Sequence, residues 1–213
     1  MQNQILSQNS TAAKTTPIIS LVIPVFNEIE VLPLLFERVR KVMHGLKLDY
    51  EMVMVDDGSK DFSADFLIRQ AQQDACVRAV ILSRNFGKEA ALSAGLEQAQ
   101  GEVIIVLDAD LQNPPELIPD MLEKWRAGAD IVAMKRRDRS GESWLKKSGS
   151  YVYYRIMNRI TGSMNIPEDT GDFRLMSRRS VDSLNQLPER NRYMKGLFAW
   201  VGYPTHVMQY DVA

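Results

Sequence analysis

Five short stretches of the chain are rich in apolar and β-branched residues and are bounded by polar or turn residues. Nearly continuous apolar runs of this length are typical of parallel strands that are buried on both faces. They predict β-strands over residues 18–25, 50–57, 77–84, 101–110 and 129–137.

Amphipathic patterns separate these strands, with apolar residues recurring every three or four positions as they do on one face of a helix. They predict helices over residues 28–46, 63–73, 88–100 and 114–128. We expect Gly45 and Gly101 to cap the C-termini of two of them, because glycine adopts the left-handed conformation at a helix end without steric cost.

The alternation of strands and helices predicts the α/β fold class, with right-handed crossovers and a mostly parallel central sheet that carries helices on both faces. At 213 residues and 45% hydrophobic content, the chain is long enough for one domain, which we place over residues 18–213. The polar residues 1–17 lack the features of a signal peptide, and we expect them to form a disordered tail. No apolar run approaches the roughly 18 residues of a transmembrane helix.

Charge is balanced overall but uneven along the chain. The net charge of −1 gives no indication of a nucleic-acid partner. Residues 134–159, however, contain eight basic and two acidic side chains, which favours an anionic partner or full solvation. Residues 143–161 combine this charge with apolar residues at helical spacing and three tyrosines. They predict either a helix that lies on a membrane surface or an ordinary packed helix whose tyrosines complete the core.

Acidic residues lie at or just after the ends of three predicted strands. Glu28 follows the first strand, Asp56 and Asp57 end the second, and Asp108 and Asp110 lie at the end of the strand at 101–110. In open α/β sheets the ligand site lies outside the carboxyl ends of the strands. The sequence therefore predicts an acidic binding site at that edge of the sheet.

Asp108 and Asp110 are two positions apart, so in an extended strand they point to the same side while Ala109 faces away. Two neighbouring carboxylates repel each other unless a cation lies between them, and hard oxygen ligands suit Mg²⁺ or Mn²⁺. The alternative is that Asp108 caps the following turn and Asp110 is a solvated loop residue.

Four motifs occur together in a recognisable order: "SLVIPVFNE", "VMVDDGSKD", "LSRNFGKEAALSAGLEQAQGEVIIVLDADLQNPPE" and "EDTGDFRLMSRR". The chain resembles glycosyltransferase family 2, in the branch that contains dolichyl-phosphate mannose synthase and bacterial polyprenyl-phosphate glycosyltransferases. The resemblance implies a GT-A nucleotide-diphospho-sugar transferase fold, a nucleotide-sugar donor, a divalent metal, Mg²⁺ or Mn²⁺, and inversion at the anomeric carbon.

The resemblance also implies which residues contact the nucleotide sugar. They are Pro24, Phe26, Glu28, Asp56, Asp57, Arg84, Lys88, Asp108, Ala109 and Gln112, with Asn85 beside them. Asp108 and Asp110 match the metal-binding pair. Two alternatives stay open: Pro24 and Phe26 could simply pack a strand end on a helix, and one carboxylate of the Asp56–Asp57 pair could be structural.

On the acceptor side, the resemblance implies an acidic residue near the sugar, with Asp169 as first choice and Asp172 as second, in addition to Asp110. A sugar hydroxyl as acceptor would require one of them as general base. A lipid phosphate is already ionised at pH 7, so the acid would only position it or the donor sugar. The basic candidates for binding an acceptor phosphate are Arg136, Arg139, Arg190 and Arg192.

The preferred interpretation is therefore sugar transfer from a nucleotide sugar, UDP-glucose or a relative, to polyprenyl phosphate at the cytoplasmic face of a membrane. Members of this branch usually continue into transmembrane helices, so we expect this chain to be the catalytic part without them. The alternatives are a family 2 enzyme that acts on a polysaccharide and a non-catalytic protein that binds nucleotide sugars.

Overall fold

The computed structural model describes residues 4–6, 18–137, 170–187, 189 and 192–211. The helix predicted over residues 143–161 lies outside the described residues, as does most of the expected polar tail.

The described part of the chain forms an eight-stranded sheet with helices on both faces. The strands are β1 (Gln4–Leu6), β2 (Ile19–Val25), β3 (Tyr50–Asp56), β4 (Val77–Ile81), β5 (Val103–Val106), β6 (Ile131–Arg136), β7 (Thr170–Ser177) and β8 (Thr205–Tyr210). The helices are α1 (Leu32–Leu46), α2 (Ser63–Gln73), α3 (Lys88–Gln98), α4 (Ile118–Arg126), α5 (Arg178–Asn185) and α6 (Met194–Trp200), and Pro115–Leu117 form a short 3₁₀ helix before α4. No helix in these residues is both long and apolar enough to cross a lipid bilayer.

The strand order is β1-β4-β3-β2-β5-β7-β6-β8. Strands β4, β3, β2 and β5 are parallel neighbours, and β6 is parallel to β8. Strand β7 lies antiparallel between β5 and β6, and β1 is antiparallel to β4. The predicted α/β class, the mostly parallel sheet and all five predicted strands are confirmed, whereas β7 and β8 were not predicted because neither shows a continuous apolar run.

Apolar side chains on the two faces of the sheet form two separate cores. On one face, Leu21 and Ile105 pack with α1, α2 and α4. On the other face, Val22 and Ile104 pack with α3, α5 and α6. Neighbouring residues of one strand point to opposite faces, so a strand buried on both sides must be apolar at nearly every position. This requirement explains why the central strands were readable from the sequence.

Three local expectations were wrong. Gln4–Leu6 are not part of a disordered tail, because they pair antiparallel with β4, whose outer edge offers unpaired backbone groups. Helix α1 continues past Gly45, and Lys47 takes the left-handed conformation at φ 53° and donates its N–H to the carbonyl of Met43. Gly101 is not a helix cap either: a Cβ there would lie 2.7 Å from the backbone nitrogen of Ser20, so glycine is needed for close approach.

The turn at Gly58 requires glycine, because this residue has φ +70° and a Cβ there would lie 2.4 Å from the carbonyl carbon of Arg84. Gly58→Ala should lower the free energy of unfolding by about 2–4 kcal/mol, through backbone strain and displacement of the facing chain. Gly45→Ala is the matched control, since its Cβ would meet nothing within 4 Å and should raise stability by up to about 1 kcal/mol. Denaturant unfolding measures both; wild-type stability in Gly58→Ala would contradict the described turn.

Candidate active site

An open cleft of about 280 Å³ lies at the carboxyl ends of β2, β3 and β5. Its walls combine residues from the loops after these strands with the start of α3. They are Pro24, Val25, Phe26, Glu28, Asp57, Asn85, Gly87, Lys88, Ala91, Asp108, Ala109 and Asp110. The position agrees with the general rule for open α/β sheets. Most of the residues predicted to contact a nucleotide sugar therefore meet in one place.

The loops after β2 and β3 are held together by side-chain hydrogen bonds. Asn27, in the left-handed conformation at φ 56°, donates its N–H to Ser59 Oγ at 2.9 Å and accepts from the Lys60 N–H at 2.7 Å. The Glu28 N–H donates to Ser63 Oγ at 3.0 Å. These bonds fix the backbone that carries Glu28 into the cleft.

The two carboxylates after β3 have different partners. Both oxygens of Asp57 accept backbone hydrogen bonds, from the N–H of Phe86 at 2.8 Å and of Gly87 at 2.9 Å. Asp56 Oδ2 accepts from the Ser59 N–H at 3.0 Å, while its buried Oδ1 has no donor among the described residues. Asp57 thus holds the loop before α3 in place, and Asp56 retains an acceptor oxygen.

The loop before α3 brings only some of its predicted contacts into the cleft. Asn85 and Lys88 line it. Arg84 is exposed and lies over the ring of Phe86 at 4.3 Å from the ring centre, and it is not among the lining residues. The described position of Arg84 gives no support to a direct nucleotide contact.

Asp108 and Asp110 both line the cleft, but they do not lie in an extended strand as the sequence analysis predicted. Strand β5 ends at Val106, so both aspartates lie in the following loop, and Ala109 also lines the cleft. Leu111 has φ 60°, and this turn lets the Gln112 N–H donate to Asp110 Oδ1 at 3.0 Å.

Lys88 joins two carboxylates that come from distant parts of the chain. Its ammonium lies 2.5 Å from Asp108 Oδ1 and 2.8 Å from Oδ2 of Asp172, which belongs to the antiparallel strand β7. Burial lowers the pKa of Lys88, but the two carboxylates outweigh this effect and the net pKa is raised. Lys88 therefore carries a positive charge at neutral pH and neutralises part of the acidic cluster.

Strand β7 also carries a buried arginine next to Asp172. The Arg174 guanidinium donates to the carbonyl of Gly171 at 2.7 Å and lies 3.8 Å from the ring centre of Phe198. Burial lowers the pKa of Arg174 to about 10, and the charges of Asp172 and Glu89 oppose that shift. Arg174 therefore stays cationic at neutral pH next to the acidic site, and no local sequence pattern predicted a buried arginine at this position.

Arg136, one of the arginines predicted to bind an acceptor phosphate, contacts the loop after β5 that carries Asp108 and Asp110. It donates to Gln112 Oε1 at 3.0 Å and to the hydroxyl of Tyr210 at 3.2 Å. The same hydroxyl donates to Asn113 Oδ1 at 2.7 Å, and Asn113 donates to Asp108 Oδ2 at 3.1 Å. Sequence reasoning missed Asn113 and Tyr210, which are 97 positions apart.

Arg192, the other basic candidate that the structure describes, is not linked to the cleft. Arg192 donates to the carbonyls of Leu187 at 3.1 Å and Glu189 at 3.2 Å, and so supports its own loop. Asp169, Arg139 and Arg190 lie outside the described residues.

Glu28 has a pKa raised above its ordinary value, first by partial burial and then by the charges of Asp110 and Asp61. A carboxyl with a raised pKa in the folded state resists ionisation there. Its ionised form therefore costs stability above the unfolded-state pKa, and this cost disappears as the pH falls and both states become protonated.

Glu28→Gln should accordingly raise the free energy of unfolding at pH 7, and the increase should vanish near pH 3. Glu30→Gln, at an exposed neighbouring position, is the control and should show no such pH-dependent increase. Urea unfolding across this pH range measures the difference. A stability increase for Glu28→Gln that persists unchanged at pH 3 would contradict the electrostatic explanation.

Comparison with known proteins identifies relatives of this chain. The chain is 50% identical over 193 residues to an uncharacterized glycosyltransferase of Synechocystis, covering 91% of this chain and 60% of the relative. It is 46% identical over 192 residues to the bactoprenol glucosyl transferase of Shigella phage SfV, covering 90% of this chain and 62% of the relative. The chain thus spans about three fifths of the length of these relatives.

Among solved structures, glucosyl-3-phosphoglycerate synthase from Mycobacterium tuberculosis, in complex with Mn²⁺, UDP and phosphoglyceric acid, superposes with a TM-score of 0.59 at 16% identity. The match covers 92% of this chain and 69% of that protein. This likeness confirms the expected GT-A fold. The sequence model of Glycosyl transferase family 2 matches residues 20–184. The chain therefore belongs to glycosyltransferase family 2.

Proposed function

We propose that this chain is the catalytic part of an enzyme that transfers a glucosyl group from a nucleotide sugar such as UDP-glucose to polyprenyl phosphate. One observation carries the proposal: the Lys88 ammonium contacts both Asp108, in the loop after β5, and Asp172, on β7. In this proposal Asp108 serves the donor and Asp172 serves the acceptor, and both contact the Lys88 ammonium. Relatives that are 45–46% identical are named bactoprenol glucosyl transferases, which supports this choice of donor sugar and acceptor.

The donor nucleotide lies in the cleft at the ends of β2 and β3. Its base or ribose presents N–H or O–H donors, for which carboxylate oxygens at the ends of these strands are suitable acceptors, although Asp56 itself is buried and does not line the cleft. Asp57 contributes indirectly, because it holds the loop that carries Asn85.

Asp108 and Asp110 are the residues that would hold a divalent cation, Mg²⁺ or Mn²⁺. Their fit to a cation is supported by Lys88, whose ammonium already lies against Asp108. Within the described residues, no group of three or more His, Cys, Asp or Glu side chains is arranged to bind a metal. Two carboxylates suffice where substrate phosphates and water complete the coordination shell. When bound, the cation neutralises negative charge on the departing nucleotide diphosphate.

Asp172 is the acid within the described residues that acts nearest the reacting atoms, and Asp169, the first choice from the sequence, stays a prediction. It faces the same ammonium as Asp108, and the neighbouring Arg174 donates to the backbone carbonyls of Gly171 and Asp172, which restricts the backbone that carries this carboxylate. An oxygen of the lipid phosphate forms a bond to the anomeric carbon while the bond from that carbon to the diphosphate oxygen breaks, with inversion. The phosphate is already ionised near pH 7, so Asp172 removes no proton and instead positions the sugar and the incoming phosphate.

Arg136 binds the acceptor phosphate, and Lys88 would be available to contact the donor diphosphate if Asp108 and Asp110 held a cation. Guanidinium groups bind phosphate through two parallel hydrogen bonds, which suits Arg136 to hold a phosphate close to another anion. Because polyprenyl phosphate is a membrane lipid, the reaction takes place at a membrane surface, on its cytoplasmic face.

A transfer assay tests this function. The chain is incubated with UDP-glucose or other nucleotide sugars, Mn²⁺ and either undecaprenyl phosphate in detergent or an oligosaccharide acceptor. We expect a glucosylated lipid phosphate as product, and Asp172→Asn should lower kcat by about 100-fold because the reactants lose their alignment. Asp182→Asn is the matched control, since Asp182 makes only an exposed pair with Arg178.

Transfer to the oligosaccharide but not to the lipid phosphate would contradict the proposed acceptor. An unchanged kcat in Asp172→Asn would contradict the role of Asp172. The pH profile of kcat distinguishes positioning from proton removal. If Asp172 is a general base, kcat falls at low pH with the pKa of that acid. If Asp172 only positions the reactants, the fall at low pH follows the pKa of the acceptor phosphate.

A further inference from the structure

A directed chain of hydrogen bonds connects the arginine on the acceptor side to the carboxylate on the donor side. Arg136 Nε donates to the Tyr210 hydroxyl, which donates to Asn113 Oδ1, and Asn113 Nδ2 donates to Asp108 Oδ2. The three distances are 3.2, 2.7 and 3.1 Å. The four residues come from three segments of the chain, the loop after β5 and strands β6 and β8, so only the folded sheet brings them together.

The chemistry of its two ends fixes the direction of this chain. A guanidinium can only donate, and an ionised carboxylate can only accept. The Tyr210 hydroxyl must therefore accept from Arg136 and donate to Asn113, whose amide must present its oxygen to Tyr210 and its nitrogen to Asp108. Every proton points towards Asp108, and bonds aligned in this way polarise and strengthen one another.

Packing holds the middle of the chain in place. Asn113 is 3% exposed and Tyr210 is 5% exposed, so both lie away from solvent that would compete for their hydrogen bonds. The Tyr210 ring meets the ring of Phe173 edge to face, with ring centres 5.9 Å apart. Tyr210 also lies opposite Arg136 in the parallel pairing of β6 and β8. The hydroxyl is thereby held at a fixed position between the two halves of the site.

A second, more exposed connection leads from the same guanidinium to the other aspartate of the pair. Arg136 donates to the Gln112 side chain, and the Gln112 backbone N–H donates to Asp110 Oδ1. Asn113 occupies only Oδ2 of Asp108, so Oδ1 stays directed towards Lys88. Both aspartates are thus oriented by contacts that begin at Arg136.

We propose that Asn113 and Tyr210 are positioning residues that orient the Asp108 carboxylate for a divalent cation and transmit the state of Arg136 to it. The inference rests on the proposed function, in which Asp108 serves the donor and Arg136 the acceptor phosphate. Neither Asn113 nor Tyr210 contacts a substrate in this scheme. Their effect on the donor site passes through Asp108, and an arginine that never touches the donor nonetheless influences donor binding.

Calorimetry with Mn²⁺ and UDP tests the positioning role without any turnover. Tyr210→Phe removes the hydroxyl but keeps the ring against Phe173, and we expect the affinity for Mn²⁺–UDP to fall about tenfold, as is usual for residues that orient a metal ligand. Asn113→Ala should cause a similar loss. Tyr203→Phe is the matched control, because its hydroxyl contacts Ser183 and the carbonyl of Arg179 away from the cleft. It should leave the Mn²⁺–UDP affinity unchanged.

A double-mutant cycle tests the link to Arg136. Arg136→Ala alone should weaken Mn²⁺–UDP binding, and in the Tyr210→Phe background the same change should have a clearly smaller effect, because the chain is already broken. If the two substitutions lower the Mn²⁺–UDP affinity by independent factors that multiply, the coupling is overturned. If Tyr210→Phe binds Mn²⁺–UDP as tightly as wild type, the positioning role is overturned and the proposed function is left intact. If wild type binds no Mn²⁺–UDP, the proposed function and this inference fail together.

Discussion

Carboxylates that gather at one edge of a sheet repel each other, and this fold depends on a cation to hold them together. Lys88 supplies that charge at the start of α3, where it contacts Asp108 and Asp172. Strand β7 runs antiparallel through the middle of the sheet, and this direction brings Asp172 to the edge where the parallel strands end. The parallel strands contribute Asp108 to this contact, and the inserted antiparallel strand contributes Asp172.

Side-chain contacts hold the loops around this cation in place. Asp57 holds the loop before α3 by two backbone hydrogen bonds, and Asn27 joins the loops after β2 and β3. Beneath the site, Arg174 lies buried against Phe198. Such contacts hold reacting groups in a defined geometry, which is the main contribution a protein makes when the chemistry is a simple displacement.

Much of this arrangement was predicted from the sequence. The parts that were not predicted depend on strand boundaries and on contacts between distant residues, which local sequence patterns do not define. Strands buried on both faces show continuous apolar runs, so β2 to β6 and the acids after them were predicted. The alternation rule failed at Asp108 and Asp110 because β5 ends at Val106, a boundary that local pattern does not define. Strand β7 alternates polar and apolar residues around Asp172 and Arg174, and its burial comes from its neighbours in the sheet and from the helices packed on them. Tyr210 and Asn113 gave no signal, because their role arises from contact across 97 positions.

The central claim is that Asp108 and Asp110 hold a divalent cation in place of the Lys88 ammonium. The most direct test is a crystal structure of the chain with Mn²⁺ and UDP, in which anomalous scattering locates the manganese. The account predicts an anomalous peak coordinated by a carboxylate of this pair and by the diphosphate, with Lys88 withdrawn from Asp108 and in contact with phosphate. A UDP molecule bound in the cleft with no manganese at either aspartate, and with Lys88 still paired to Asp108, would contradict it.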